Sequence, residues 1–300
     1  MTTLVLGANG QVGRELLTAL RPLGTVQAAT RDGILAQGGM CEAADLDQPR
    51  SLPALLARVQ PRIVVNAAAW TAVDRAEQDE AAAMRVNAES PGVIARWCAR
   101  HDVPLVHYST DYVFDGQGRR PYREEDATAP LGAYGRSKRA GELAVQAAGG
   151  QHLILRTAWV HAAHGHNFLR TMLRLAATQP VLRVVADQIG APTSATLIAS
   201  VTAWMLQQRP DASGLWHLTA GGSTSWHGFA QAIFADAVAT GLFADAPEVV
   251  AITTADYPTP ARRPAYSCLD TSLLRNDFGI ALPDWRDDVR RVVEVMAATP

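Results

Sequence analysis

Cysteine is scarce: the 300 residues hold three, Cys41, Cys98 and Cys268, far apart and without a CxxC pair. An odd, unclustered set excludes a disulfide framework and a structural zinc site, and the three read as buried or half-buried thiols. Charge imbalance is also missing. The 27 Lys and Arg residues offset 29 Asp and Glu, for a formal net charge of -2, and no long basic run occurs. Nucleic acid is therefore not an expected partner, whereas a nucleotide-sized ligand needs only a few local arginines. No window approaches the roughly 20 apolar residues of a membrane-spanning helix. The opening Met1-Thr2-Thr3-Leu4-Val5-Leu6-Gly7 lacks the basic and apolar regions of a signal peptide. The expectation is a soluble, cytoplasmic chain without a membrane partner. Neither a Gly/Ser-rich spacer nor an internal repeat divides it.

What is present is apolar and ordered. Hydrophobic residues make up 48% of the chain, enough for a large core in one large or two modest domains. Short β-rich runs alternate with helical patterns: Leu4–Leu6, Thr25–Ala29, Ile63–Ala67, Leu105–Ser109 and His152–Arg156 read as strands, with helices at Gln11–Leu20, Ser51–Val59, Glu80–Arg100 and Tyr134–Ala147. Ser51 reads as an N-cap, and Ser90-Pro91 as a break or a new helix start in the long helical region. Later strands are read at Leu182–Ala186 and Leu215–Leu218, and helices at Asn167–Ala177, Ala195–Gln207, Trp226–Ala239 and Arg286–Met296. Alternation of this kind predicts an α/β fold, a doubly wound, Rossmann-like parallel sheet with a smaller C-terminal substrate lobe. The expected division is a dinucleotide-binding domain over 1–160 and a mainly substrate-binding lobe over 161–300, with about 194–225 returning to the first domain.

Gly7-Ala8-Asn9-Gly10-Gln11-Val12-Gly13 lies between the first strand and the first helix. Glycines there permit tight backbone and close approach of a pyrophosphate, and the helix N-terminus offers free N–H groups. Past the second strand stand Thr30 and Arg31 rather than a carboxylate. A guanidinium can pair with a 2′-phosphate, which favours NADPH with NADH possible; Arg31 can equally be a solvated loop residue. Asp45-Leu46 can contact the adenine, or Asp45 can be a capping carboxylate.

Tyr134 and Lys138 are four apart, on one face of a helix. A tyrosine that gives its proton to a developing alkoxide leaves a phenolate, which a nearby ammonium stabilises. Ser109-Thr110-Asp111 follows an apolar strand, at the strand end where open α/β sheets bind ligands, so Thr110 can hold a substrate carbonyl oxygen or simply cap a turn.

Together Gly7-x-x-Gly10-x-x-Gly13, Asn66–Asp74, His107–Phe114, Tyr134-x-x-x-Lys138, Arg156–Val160, Asp187–Thr193 and Tyr257–Pro264 resemble the extended short-chain dehydrogenase/reductase superfamily, and within it the dTDP-4-dehydrorhamnose reductase family. The resemblance runs along nearly the whole chain. It implies hydride transfer from NAD(P)H to the 4-keto group of dTDP-4-dehydro-L-rhamnose, giving dTDP-L-rhamnose, with Thr110, Tyr134 and Lys138 as the catalytic trio. It implies that Gly10, Gln11, Val12, Asp45, Leu46, Ala69, Trp70, Thr71 and Tyr108 line the cofactor, and that Thr110, Asp111 and Trp159 face the sugar. On the residues alone, Trp159 could be core or interface. Arg262 and Arg263 could contact a diphosphate or be solvated. Asp111 keeps open a dehydratase, and the scaffold also serves epimerases and a non-catalytic regulatory subunit; the complete trio argues against the last. Some relatives dimerise through a metal held by acidic residues, one on the first helix. Glu15 is present, but Ser194–Ser200 carries no carboxylate, and a hard cation such as Mg²⁺ wants several oxygens. No bridging metal is expected, and a monomer is favoured over a dimer. His161, His164 and His166 read as a polar loop.

Overall fold

The computed structural model describes residues 2–298. In chain order its elements begin β1 (Thr2–Leu6), α1 (Gln11–Ala19), β2 (Thr25–Thr30), β3 (Glu42–Ala43), α2 (Leu52–Val59), β4 (Ile63–Asn66), α3 (Val73–Gln78), α4 (Glu80–Met84), α5 (Ser90–Arg100), β5 (Leu105–Thr110), α6 (Ala133–Ala147) and β6 (His152–Thr157). They continue with β7 (Val160–His161), α7 (Phe168–Ala176), β8 (Val181–Val185), β9 (Ile189–Gly190), β10 (Thr193–Ser194), α8 (Ala195–Gln208), β11 (Gly214–His217) and β12 (Thr224–Ser225). The last are α9 (Trp226–Ala239), β13 (Glu248–Ile252), α10 (Ser272–Phe278) and α11 (Trp285–Ala297).

Seven strands form one sheet in the order β11-β6-β5-β4-β1-β2-β3, every pair parallel. Its central strands are apolar on both faces because helices cover both. Val5, Val65, Val106 and Leu155 pack with Leu16 and Leu20 of α1 and Ile198 and Met205 of α8. On the other face Leu4, Leu6, Val64 and Ile154 pack with Leu52 and Leu56 of α2, Ile94 of α5 and Val145 of α6. A separate core, with Leu169, Leu182, Phe229, Phe234, Trp285 and Val289, joins α7, α9 and α11 to β8. Strand β11 thus belongs to the sheet and α8 packs on α1. Among the described residues no helix is long and apolar enough to cross a membrane.

Local expectations fare differently. A new helix starts at Ser90-Pro91, as α5, directly after a π-helical turn over Arg85–Glu89. Pro91 has no N–H to offer the Asn87 carbonyl four residues back, and a wider turn accommodates that loss. Ser51 stands at the start of α2, but its hydroxyl donates to Gln48 O at 2.8 Å instead of capping the helix. His161 is on β7 and fully buried rather than in a polar loop. Short, mostly polar α3 and α10 carried too little apolar periodicity to be predicted, and the apolar run of β13 was too short to stand out beside its loops.

Helix α6 owes its position to close approach. A Cβ on Gly141 would lie 2.0 Å from the Asn87 carbonyl oxygen, which is backbone and cannot swing away. Gly141→Ala should therefore destabilise the protein by roughly 1–3 kcal/mol through overpacking, against the gain of about 1 kcal/mol that helix propensity alone gives alanine. Chemical denaturation checks this, and an unchanged or raised midpoint refutes it.

Candidate active site

The turn between β1 and α1 is built by three glycines with different duties. Gly7 has φ +78°, and a Cβ there would stand 2.6 Å from Ala68 N. A Cβ on Gly13 would stand 2.1 Å from Gly7 O, so glycine is what lets α1 meet the strand. Gly10 is exposed and crowds only Gly7 O, at 3.2 Å. No side chain caps α1, so its first N–H groups stay free for an anion. A dinucleotide pyrophosphate fits this cradle, which a side chain at Gly10 would fill. Gln11 receives a hydrogen bond from Asn167 Nδ2 at 2.8 Å, tying the loop after β7 over the turn, and Val12 packs into the core beneath.

At the end of β2, Arg31 is exposed, with Nε 3.7 Å from Asp45 Oδ1. The neighbouring Asp32, also exposed, accepts from Ile34 N at 3.2 Å and from Thr30 Oγ1 at 3.1 Å. Arg31 is thus an exposed cation at this strand end, beside two carboxylates. Leu46 is buried, and its carbonyl accepts from Ser90 Oγ at 2.6 Å.

Past β4, the Ala69-Trp70-Thr71 segment is clamped by one side chain from the π turn. Asn87 accepts from Trp70 N at 2.8 Å and donates to Trp70 O at 3.0 Å and to Ser137 Oγ at 3.0 Å. The same amide thus fixes the expected cofactor segment and the catalytic helix. Glu77 Oε1 accepts from Ala133 N at 2.7 Å and caps α6.

Thr110, Tyr134 and Lys138 converge at the carboxyl end of β5. Thr110 Oγ1 accepts from Tyr112 N at 3.2 Å and donates to Asp111 Oδ1 at 3.0 Å, so the hydroxyl both caps a 3₁₀ turn and fronts the site. Burial pushes the Tyr134 phenol up to about 12, the adjacent Thr110 hydroxyl opposing. Lys138 stands one turn along the same helix from Tyr134. Its Nζ donates to Tyr108 O at 2.6 Å, while burial brings the ammonium down to about 8 and Glu142 opposes. The Tyr108 side chain points away and bonds Thr202 Oγ1 at 2.8 Å, which leaves its carbonyl as the group that orients the lysine.

On the other side stands Asp111, buried, with its carboxyl raised to about 6 by burial against Ser267, Thr110 and two backbone N–H groups. Its Oδ2 has no hydrogen-bond partner, and neither has Thr157 Oγ1 on the next strand. Thr157 is the register partner of Thr110. Buried polar atoms are nearly always paired, so two orphans at adjacent strand ends mark where ligand oxygens or amides belong. Trp159 is half-buried, in the left-handed region at φ +48°, and stacks on Trp226 with centroids 3.6 Å apart. Arg262 is exposed. Arg263 is engaged, its guanidinium pairing with Asp74 at 2.8 and 3.1 Å. Of the two arginines, Arg262 is the one left for a diphosphate.

His164 bonds Glu15 Oε1 at 2.7 Å, and no group of three or more metal-competent side chains occurs among the described residues. Sequence reasoning missed Asn87, Glu77, Thr157 and Trp226. One signal was available for the lysine: Lys138 is the sole lysine among the 27 Lys and Arg residues.

Comparisons with known proteins agree with this geometry. The family model described as RmlD substrate binding domain matches residues 1–298. The dTDP-4-dehydrorhamnose reductase of Burkholderia thailandensis is 50% identical over 295 residues, covering 95% of this chain and 96% of that protein. The Escherichia coli K12 enzyme of that name is 42% identical, covering 100% and 99%. Among solved structures, the dTDP-4-dehydrorhamnose reductase of Clostridium acetobutylicum superposes with a TM-score of 0.89 at 33% identity, covering 99% of each chain. The Bacillus anthracis dTDP-4-dehydrorhamnose reductase, solved in complex with NADP, does so with a TM-score of 0.88 at 30% identity, covering 97% of this chain and 98% of that one. With a glycine cradle, a Thr-Tyr-Lys cluster and full-length matches of this kind, the chain belongs to the dTDP-4-dehydrorhamnose reductase family, whose model is the RmlD substrate binding domain.

Proposed function

We propose that the protein reduces the 4-keto group of dTDP-4-dehydro-L-rhamnose to give dTDP-L-rhamnose, with NADPH as the favoured reductant and NADH usable. The observation that carries this reading is the convergence of Thr110, Tyr134 and Lys138 at one strand end beside the glycine cradle. When bound, the nicotinamide supplies the hydride to the keto carbon.

The remaining steps belong to the chain's own groups. The Thr110 hydroxyl turns its proton from Asp111 to hold the keto oxygen, and Tyr134 gives its phenolic proton to that oxygen as charge develops there. The Lys138 ammonium, oriented by the Tyr108 carbonyl, stabilises the phenolate electrostatically. Gly7, Gly10 and Gly13 with Gln11 and Val12 seat the pyrophosphate. Arg31, Asp45 and Leu46 border the adenosine, and Ala69, Trp70, Thr71 and Tyr108 line the nicotinamide half. Asp111 and Trp159 face the sugar, Arg262 its diphosphate, and the unpartnered Thr157 Oγ1 and Asp111 Oδ2 are available to ligand groups. In this reading residues 1–160, with about 194–225, hold the cofactor, and the rest of 161–300 holds the sugar. Glu15 is occupied by His164 rather than offered to a metal, which supports a monomer.

Purified protein mixed with NADPH and the keto-sugar should oxidise the cofactor stoichiometrically. Tyr134→Phe should lower kcat by about 10²–10⁴-fold and leave NADPH binding intact. Tight NADPH binding with no turnover of this sugar in the wild type would send the assignment to another keto-sugar or to a regulatory subunit. Because Lys138 acts protonated and lies near about 8, kcat/KM should fall as pH rises through that value, which a pH-rate profile checks. Gly13→Ala should abolish NADPH affinity, read by fluorescence titration; retained binding would contradict the cradle assignment.

A further inference from the structure

A fully buried carboxylate lies one helical turn beyond Lys138. Glu142 accepts two parallel hydrogen bonds from Arg156, Nε to Oε1 and a terminal nitrogen to Oε2, both 2.8 Å. It also accepts from Ser109 Oγ at 2.5 Å and from Arg139 at 2.8 Å. Glu142 is 0% exposed and Arg156 2%. These partners are the immediate neighbours of the trio: Ser109 precedes Thr110, Arg139 follows Lys138, and Arg156 is the register partner of Ser109.

The other charged or titratable groups around the cluster do not supply a second anion to Lys138. Arg156 donates to His217 Nε2 at 3.3 Å, and His217 Nδ1 faces Tyr122 O at 3.0 Å, so that imidazole is neutral. Glu124 Oε1 is taken by His217 N at 2.8 Å. His107, on β5 beside Lys138, is buried and held neutral by burial first and the lysine second. Burial alone would push the Glu142 carboxyl up; Arg156, Ser109 and Arg139 outweigh it and hold the group below its ordinary value, hence ionised.

We propose that Glu142 is a positioning residue for the reduction: its carboxylate, pinned by Ser109, Arg139 and Arg156, is the anion that keeps the buried Lys138 ammonium charged and sets α6 against the end of β5. Like charges left together in a low-dielectric interior repel. With the anion gone, Lys138 would share its surroundings with Arg139 and Arg156 and give up its proton more easily. The catalytic part of this inference rests on the reading of Lys138 above; the electrostatic part does not.

Because Lys138 is the sole lysine, the ε-methylene signal of ¹³C-lysine-labelled protein is a single titration, readable by NMR without substrate or cofactor. Glu142→Gln, a near-isostere, should lower its midpoint by about one pH unit or more, and the alkaline limb of kcat/KM should move down with it. That means about a fivefold loss at the original midpoint and about a tenfold loss well above it. A folded Glu142→Gln protein with the wild-type lysine midpoint overturns the proposal. Removing one partner of a buried pair endangers folding more than replacing both by apolar groups, so E142L/R156M is the companion. It should fold, and because the anion and one of its cations leave together its midpoint should lie between those of Glu142→Gln and the wild type; a midpoint above the wild type's would overturn the proposal. If the protein proves inactive on the keto-sugar, the NMR titration still decides the electrostatic claim.

Discussion

The site depends on where one helix is held. α6 carries Tyr134 and Lys138, and nothing in its own sequence fixes its height or rotation against the sheet. Asn87 does so: its amide joins Ser137 of α6 to the Trp70 backbone, while its own carbonyl is met by Gly141 at a distance that admits no side chain. The buried amide is fully used, so any sliding of α6 would leave polar groups unpaired in a dry interior, a cost of about 1–3 kcal/mol for each. The π turn that presents Asn87 follows from a proline four residues later. The Trp70 segment, helix α6 and a backbone irregularity are therefore one structural unit.

Charge is organised around the same helix. Few ionisable groups are buried, and most of those lie in a band under the strand ends of β5 and β6. Glu142 and Arg156 satisfy each other bidentately, the neighbouring histidines are neutral, and Lys138 and Asp111 are left as the charged groups beside the reacting end. The half-buried phenol of Tyr134 is raised by burial, which makes it a reluctant acid until a ligand and the ammonium share its surroundings. The geometry stores its electrostatic preference in fixed dipoles and ions rather than in flexible side chains.

Much of this was legible from residue order. The strand-helix alternation announced the parallel sheet, because apolar strands of four to six residues between amphipathic stretches have few other homes. Gly7, Gly10 and Gly13 pointed to the cradle because backbone geometry admits little else there, and the Tyr134–Lys138 spacing pointed to a shared helix face. What stayed hidden depended on contacts between distant segments. Asn87 and Glu77 look like ordinary polar residues until α6 is packed on them. Thr157 is notable only because its hydroxyl lacks a partner, and Trp226 only because it stacks on Trp159. Spacing alone also gave no hint of the Tyr108 carbonyl, from another element, that accepts a hydrogen bond from the Lys138 ammonium.

Strand β11 has a consequence for how the chain is made. It closes the sheet beside β6, yet it follows β6 only after the strands and helices that begin the second lobe. During synthesis at ~5–20 residues per second, β6 waits for several seconds as an open sheet edge, with the buried Arg156–Glu142 pair at its end still uncovered by His217. An unpaired apolar edge is a template for wrong partners, so the nascent chain passes through an interval in which its catalytic half is nearly assembled and most vulnerable to aggregation.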